Sequence, residues 1–146
     1  MPEERPLRAL FVCTGNSARS QMVEGLARAY GGGKIKAFSA GMEPKGVNPY
    51  GVEVMREAGI DISRQQSKAF SEEFARTMDY VITVCGHAEE RCPILPPEVQ
   101  RIDWPLDDPA QAEGSPEQVR EVFRHSRDGI KRLIRQFLGH IHFPAT

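Results

Sequence analysis

Three cysteines and one arginine carry the chemistry this sequence can do. Cys13-Thr-Gly-Asn-Ser-Ala-Arg19-Ser20 sets a thiol six positions before a guanidinium, with only small, uncharged residues between them. Where such a loop joins a strand to a helix, successive backbone N–H groups point into one concavity and the helix dipole adds partial positive charge. Thr14, Gly15, Asn16, Ser17, Ala18, Arg19 and Ser20 are therefore the expected oxyanion cradle, with Arg19 offering a planar fork to two oxygens of a tetrahedral anion. Cys13 at its floor is expected to be a thiolate nucleophile at neutral pH, with Ser20 donating a further hydrogen bond to the sulfur. Gly15 and Asn16 tolerate the left-handed backbone angles a tight loop needs.

Spacing alone is weak evidence, because some cysteine has an arginine six positions later with odds of roughly 0.3 in a chain of this composition. The sequence repeats the pattern in Cys85-Gly-His-Ala-Glu-Glu-Arg91. Loop content separates the two. Glu89 and Glu90 would set carboxylates beside a bound dianion, so only the first loop is expected to cradle one. The bland alternative makes Cys13 a buried strand-end cysteine and Arg19 an ordinary surface residue, but a cation in the first helical turn opposes the dipole.

The elements that must position these groups alternate. LRALFVC, ending at Cys13, reads as a strand; a helix follows with Met22, Val23, Leu26, Ala27 and Tyr30 on one face, stopped by Gly31-Gly32-Gly33. Residues 34–40 read as a second strand, parallel to the first, with a crossover helix between them. Residues 49–58 read as a helix ended by Gly59, with Val52, Val54 and Met55 as its apolar positions. Residues 79–85, DYVITVC, form a third strand, and residues 99–104 a weaker fourth. The last helix carries Ser115 as N-cap, Pro116 at its first position, Gln118 closing a capping box and Gly139 beyond its end. Val119, Val122, Phe123, Ile130, Leu133, Ile134 and Phe137 are its expected buried stripe, and HIHFPAT a frayed tail. Together these give a doubly wound α/β fold, a mainly parallel four-stranded sheet with helices on both faces, as one domain over residues 1–146. Ligands in such folds bind beyond the carboxyl ends of strands, where Cys13 and Cys85 both fall.

The whole chain has 146 residues and a formal net charge of −1, which removes the global basic field of a generic nucleic-acid or anionic-membrane binder. No apolar run approaches the roughly 20 residues that span a bilayer, and three cysteines do not form a paired disulfide framework. The expectation is a cytoplasmic monomer with thiol chemistry in a reducing compartment. No cysteine and histidine pattern suggests structural zinc, and His140-x-His142 is too weak a pair to imply a metal.

CTGNSARS, DWPLDDP and CGHAEERC, in that order, resemble the thioredoxin-coupled arsenate reductases, which share a fold with low-molecular-weight protein tyrosine phosphatases. The resemblance implies Cys13 as nucleophile, Arg19 as oxyanion clamp, Asp108 as general acid ahead of Pro109, and Cys85 and Cys92 as a redox pair. It implies arsenate or phosphate as ligand, thioredoxin as partner and source of reducing equivalents, and no bound cofactor. Without it, Asp107 and Asp108 are equal candidates for the acid, and either could be a loop acid capping a turn. The phosphatases carry a second cysteine inside the loop, where Ala18 stands here, and tyrosines after the Asp-Pro, where Ala110, Gln111 and Ala112 stand. Some reductases bind potassium through residues matching Asn16, Glu24 and Ser39 and through an aspartate; that last position is Lys68 here, so no potassium site is expected.

Reducing arsenate takes two electrons, which two thiols supply on becoming a disulfide. The implied relay runs from Cys13 to Cys85 to Cys92. If residues 86–92 are helical, Cys85 and Cys92 stand about 10.5 Å apart, whereas a disulfide needs Cα atoms within about 7 Å. The segment is thus expected to be helical or turn-like when reduced and unwound when oxidised, with Gly86 easing the change and Pro93 ending the helix. The rivals to this reading are a phosphatase acting through a Cys13 phosphocysteine, and a redox or oxyanion sensor that turns nothing over.

Overall fold

In the computed structural model, which describes residues 5–140 and every side chain among them except those of His87 and Glu89, four strands form one sheet. They are β1 (Leu7–Cys13), β2 (Ile35–Gly41), β3 (Tyr80–Thr83) and β4 (Gln100–Asp103), parallel throughout and ordered β2-β1-β3-β4. In β1 the alternating neighbours Leu10 and Phe11 are 1% and 0% exposed, so both faces of the sheet are covered, as a near-continuous apolar strand requires. From β1 the chain moves outward to β2, then returns past β1 to β3. The connections beyond the carboxyl ends of β1 and β3 therefore diverge and leave a crevice between them. The Cys13 and Cys85 loops flank it.

Among the described residues five α-helices accompany the sheet: α1 (Arg19–Gly31), α2 (Pro49–Glu57), α3 (Glu72–Ala75), α4 (Gly86–Arg91) and α5 (Pro116–His140). Met22, Val23, Leu26 and Ala27 of α1 are buried as expected, but Tyr30 is exposed. It lies at the last turn, beyond the core, where Lys131 and Arg135 of α5 stand 5.5 and 5.4 Å from its ring centroid. Asn48 caps α2 by accepting a 2.8 Å hydrogen bond from the Tyr50 N–H, with Pro49 at the first position. Val54 and Met55 are buried there, and Val52 is half-buried.

The capping box of α5 is present: Gln118 N–H donates to Ser115 Oγ at 3.2 Å, and Ser115 N–H donates to Gln118 Oε1 at 2.8 Å. Phe123, Ile130, Ile134 and Phe137 are buried, each contributing about 1.5–3 kcal/mol. Val119 and Leu133 are half-buried and Val122 is exposed, so the stripe is narrower than its apolar residues suggest. Gly139 does not stop the helix, which runs to His140; a glycine in an exposed last turn costs about 1 kcal/mol without breaking it. The rest of the HIHFPAT tail, including His142, lies outside the described residues.

The third strand is also shorter than its apolar run. β3 ends at Thr83, level with the end of its partner β4 at Asp103, and Cys85 serves instead as the N-cap of α4. No helix among the described residues is long and apolar enough to cross a membrane.

Candidate active site

The loop between β1 and α1 owes its shape to where its carbonyls go. Five consecutive ones are engaged from outside the loop. Met42 N–H donates to Cys13 O at 3.1 Å, Glu43 N–H to Thr14 O at 2.7 Å, Lys45 N–H to Gly15 O at 2.9 Å and Asn48 N–H to Ser17 O at 3.0 Å. The Gln21 side chain donates to Asn16 O at 3.0 Å, and Ser67 Oγ adds a second bond to Gly15 O at 3.1 Å. With the acceptors tied outward, the loop can turn its donors toward its own centre. Asn16 takes the left-handed conformation this requires, at φ 44°. Gly41 makes the close approach possible, because a Cβ there would stand 2.7 Å from both Asn16 N and Thr14 O.

Cys13 Sγ accepts the Asn16 N–H at 3.2 Å and lies 2.8 Å from Ser20 Oγ, itself held by Asn16 Nδ2 at 2.8 Å. These donors stabilise negative charge on the sulfur. Asn16 and Ser20 are completely buried, so they stand behind the sulfur and do not line the cavity in front of it. That cavity, about 270 Å³, is lined by Cys13, Thr14, Gly15, Ser17, Ala18 and Arg19 from the loop, by Lys45, whose stem packs on Gly15, and by Asp108, Ala110 and Gln111. The first turn of α1 has no capping side chain and no acidic residue. No aromatic ring lines the cavity.

Arg19 lies along the cavity wall, donating to Leu106 O at 3.0 Å and standing 3.6 Å from Asp108 Oδ2. The Asp108 carboxylate spans two roles: Oδ1 accepts the Ala110 N–H at 3.0 Å and caps a short 3-10 turn (Pro109–Gln111), while Oδ2 faces Arg19. Asp107 lines a neighbouring groove with Val122 and His125, which Asp108 also borders, but is not among the residues lining the cavity at the sulfur. Of the two adjacent acids, the structure brings Asp108 to the cavity.

The second thiol sits at the lip of the loop. Cys85 Sγ lies 3.3 Å from Thr14 Oγ1, in hydrogen-bond contact, and accepts the Ala88 N–H at 3.4 Å. Cys92 follows α4 at its C-cap, with all three cysteines free and buried. Burial pushes the Cys92 thiol up from its ordinary value, opposed in part by Arg101. The segment between the two cysteines is helical, as the sequence suggested for the reduced state.

Three contributors escaped the sequence reading: Lys45, the 42–48 segment that holds the loop carbonyls, and the Gln21–Ser67 pair. The segment after β2, GMEPKGVNP, is rich in turn-forming residues, and nothing in its composition marks it as support for the loop. Lys68 occupies the place considered for a potassium ligand. Its ammonium stands 3.7 Å from Glu24 Oε1, which also accepts the Ser39 hydroxyl at 2.6 Å, and its backbone N–H donates to Asn16 Oδ1 at 2.7 Å. An internal cation already faces that carboxylate, so these residues do not fit a second one. Among the described residues no cluster of His, Cys, Asp and Glu could hold a metal ion.

The parallel sheet and this strand–loop–helix site define a phosphatase-like oxyanion enzyme. The profile of the low molecular weight phosphotyrosine protein phosphatases matches residues 8–143, and the chain belongs to that family. Its relatives narrow the class. An arsenate reductase of Halalkalibacterium halodurans is 48% identical over 127 residues, covering 87% of this chain and 91% of that protein. A solved arsenate reductase in its phosphate-binding state superposes with a TM-score of 0.73 at 38% identity, over 93% of this chain and 99% of that one. A thioredoxin-dependent arsenate reductase of Corynebacterium glutamicum superposes with a TM-score of 0.72 at 28% identity, over 93% of this chain and 64% of that one.

Proposed function

We propose that this protein reduces arsenate to arsenite by passing a disulfide along Cys13, Cys85 and Cys92. The observation that carries this reading is the Thr14–Cys85 contact of 3.3 Å, which sets a second thiol beside the nucleophile's loop where ester hydrolysis has no use for one. Arsenate enters the cavity, and Arg19 with the loop N–H groups holds its oxygens. The Cys13 thiolate attacks arsenic; one As–O bond breaks, and Asp108 gives its proton to the departing oxygen.

Cys85 then attacks the Cys13 sulfur. The S–As bond breaks, its electron pair stays on arsenic, and arsenite leaves as the two thiols become one disulfide. Cys92 attacks Cys85 in turn, freeing the Cys13 thiolate and leaving a Cys85–Cys92 disulfide. For that bond α4 must unwind, because its two ends stand farther apart than a disulfide allows. The raised Cys92 thiol fits its place as the last to react: it stays protonated until opening exposes it to water. The dithiol of a thioredoxin then reduces this disulfide and is itself oxidised, with no cofactor bound to the chain.

Arsenate-dependent oxidation of NADPH through thioredoxin and thioredoxin reductase tests the activity. Cys85→Ser is expected to abolish it while leaving phosphate-ester hydrolysis through Cys13 in place. Equal loss of both, or no arsenate-dependent oxidation by the unaltered protein, contradicts the relay.

A further inference from the structure

The cavity in front of Cys13 holds two cations, and Arg19 accounts for only one. The other, Lys45, is anchored at the rim by its own backbone, whose N–H donates to Gly15 O at 2.9 Å. Its aliphatic stem lies over the loop, with Cδ and Cγ 3.5 and 3.7 Å from where a Cβ on Gly15 would stand. Its ammonium has no hydrogen bond or ion pair among the described residues. The nearest acid in sequence does not neutralise it, because Glu43 is bound to Arg91 of α4 at 3.2 Å. Arg19, by contrast, is already shared with Leu106 O and Asp108.

We infer that Lys45 is a second oxyanion ligand, the residue that fits the cavity to a free dianion. This rests on the arsenate reading and deepens it. Arg19 supplies a fork at the cavity wall, and Lys45 supplies a mobile point charge at the mouth, where the outermost oxygens of a small tetrahedral anion would lie. In a phosphate or arsenate monoester that outer position carries an organic group with no charge to offer. A cation there favours inorganic arsenate and phosphate over esters. Facing Ala110 and Gln111, Lys45 completes a mouth built for charge and not for an aromatic ring.

The test is calorimetric titration of inorganic phosphate into the reduced protein, comparing the unaltered chain with Lys45→Met and Lys45→Arg. Methionine keeps the stem over Gly15 and removes only the charge. Lys45→Met is expected to bind phosphate about tenfold more weakly, as for loss of one charge-assisted hydrogen bond, and Lys45→Arg to stay close to the unaltered protein. Lys45→Met should also lose most of the gain in affinity as pH rises through the second ionisation of phosphate, and should raise KM for arsenate more than it lowers kcat. Unchanged binding by Lys45→Met overturns the role of Lys45 and leaves the loop reading intact. Equal weakening in both variants overturns it too, pointing to packing on Gly15. If the unaltered protein binds no phosphate, the loop reading itself fails.

Discussion

Two segments of this chain place an arginine six residues after a cysteine where a parallel strand gives way to a helix, and they fold differently. After Cys13 the loop runs on to Ala18 before α1 begins at Arg19, its carbonyls tied to the 42–48 segment, Gln21 and Ser67, and its arginine turned along the cavity. After Cys85 the helix begins at once, and the Ala88 N–H of its first turn donates to the Cys85 sulfur at 3.4 Å. Arg91 then points to Glu43. The anion cradle is thus shaped by the partners that draw its carbonyls outward, and the thiol proposed to attack Cys13 stands where a helix starts without that restraint. The sequence offers the acids of the second loop, Glu89 and Glu90, as the reason for the difference, and the structure adds this backbone accounting to it.

The arginines give the sharpest contrast. Arg19→Lys keeps a charge but loses the fork, and should lower kcat/KM for arsenate by about 10²–10³. Arg91→Lys should change it less than threefold, the usual scale of an exposed ion pair. Comparable losses in steady-state assays would erase the distinction between the segments.

Gly41 tests whether the restraint comes from outside the loop. A methyl group there collides with backbone at Asn16 and Thr14, so Gly41→Ala should cost about 2–3 kcal/mol in denaturant unfolding and abolish phosphate binding. A stable variant that still binds phosphate would show that the loop holds its own shape.

How much of this was legible beforehand follows the same division. Cys13, Arg19 and the small residues between them are contiguous, so their types alone announced the cradle. The donors that shape it come from residues 42–48 and from Gln21 and Ser67, which reach it only through the β1–β2 pairing and the packing of α1; no local pattern marks them. Lys45 was missed for that reason. The sequence extends the third strand to Cys85 because both burial and backbone bonding run past its end: Val84 N–H still donates to Val12 O at 2.8 Å, and Val84 and Cys85 are buried beyond Thr83. Four-residue α3 is too short to show a period, and Gly139 and Tyr30 were misjudged because exposed helix ends tolerate residues a buried end would not.

The Thr14–Cys85 contact joins the two segments. Thr14→Val should leave phosphate binding within about threefold but slow arsenite release about tenfold in rapid-quench experiments, because a neutral hydroxyl bond to a developing thiolate is removed. An unchanged release rate would separate the two loops again.

The smallest effect lies far from both, and serves as a control. Bonds from Arg124, reinforced by Arg127, hold the Glu57 carboxyl down to about 2 from 4.5. A carboxyl lowered on folding stabilises the protein above its unfolded value and loses that contribution as pH falls from 4.5 toward 2. Glu57→Gln should therefore lower thermal stability slightly at neutral pH, with the difference from the unaltered protein vanishing across that window and arsenate turnover unchanged.

The central claim, that one segment binds and attacks arsenate while the other carries the electrons away, is tested most directly by a single turnover without thioredoxin. Reduced protein mixed with excess arsenate should release one arsenite per chain and leave a Cys85–Cys92 disulfide by peptide mapping, while Cys92→Ser should stop with Cys13 bonded to Cys85. Arsenite formed with Cys13 still a free thiol in Cys92→Ser, or a disulfide that omits Cys85, would contradict it.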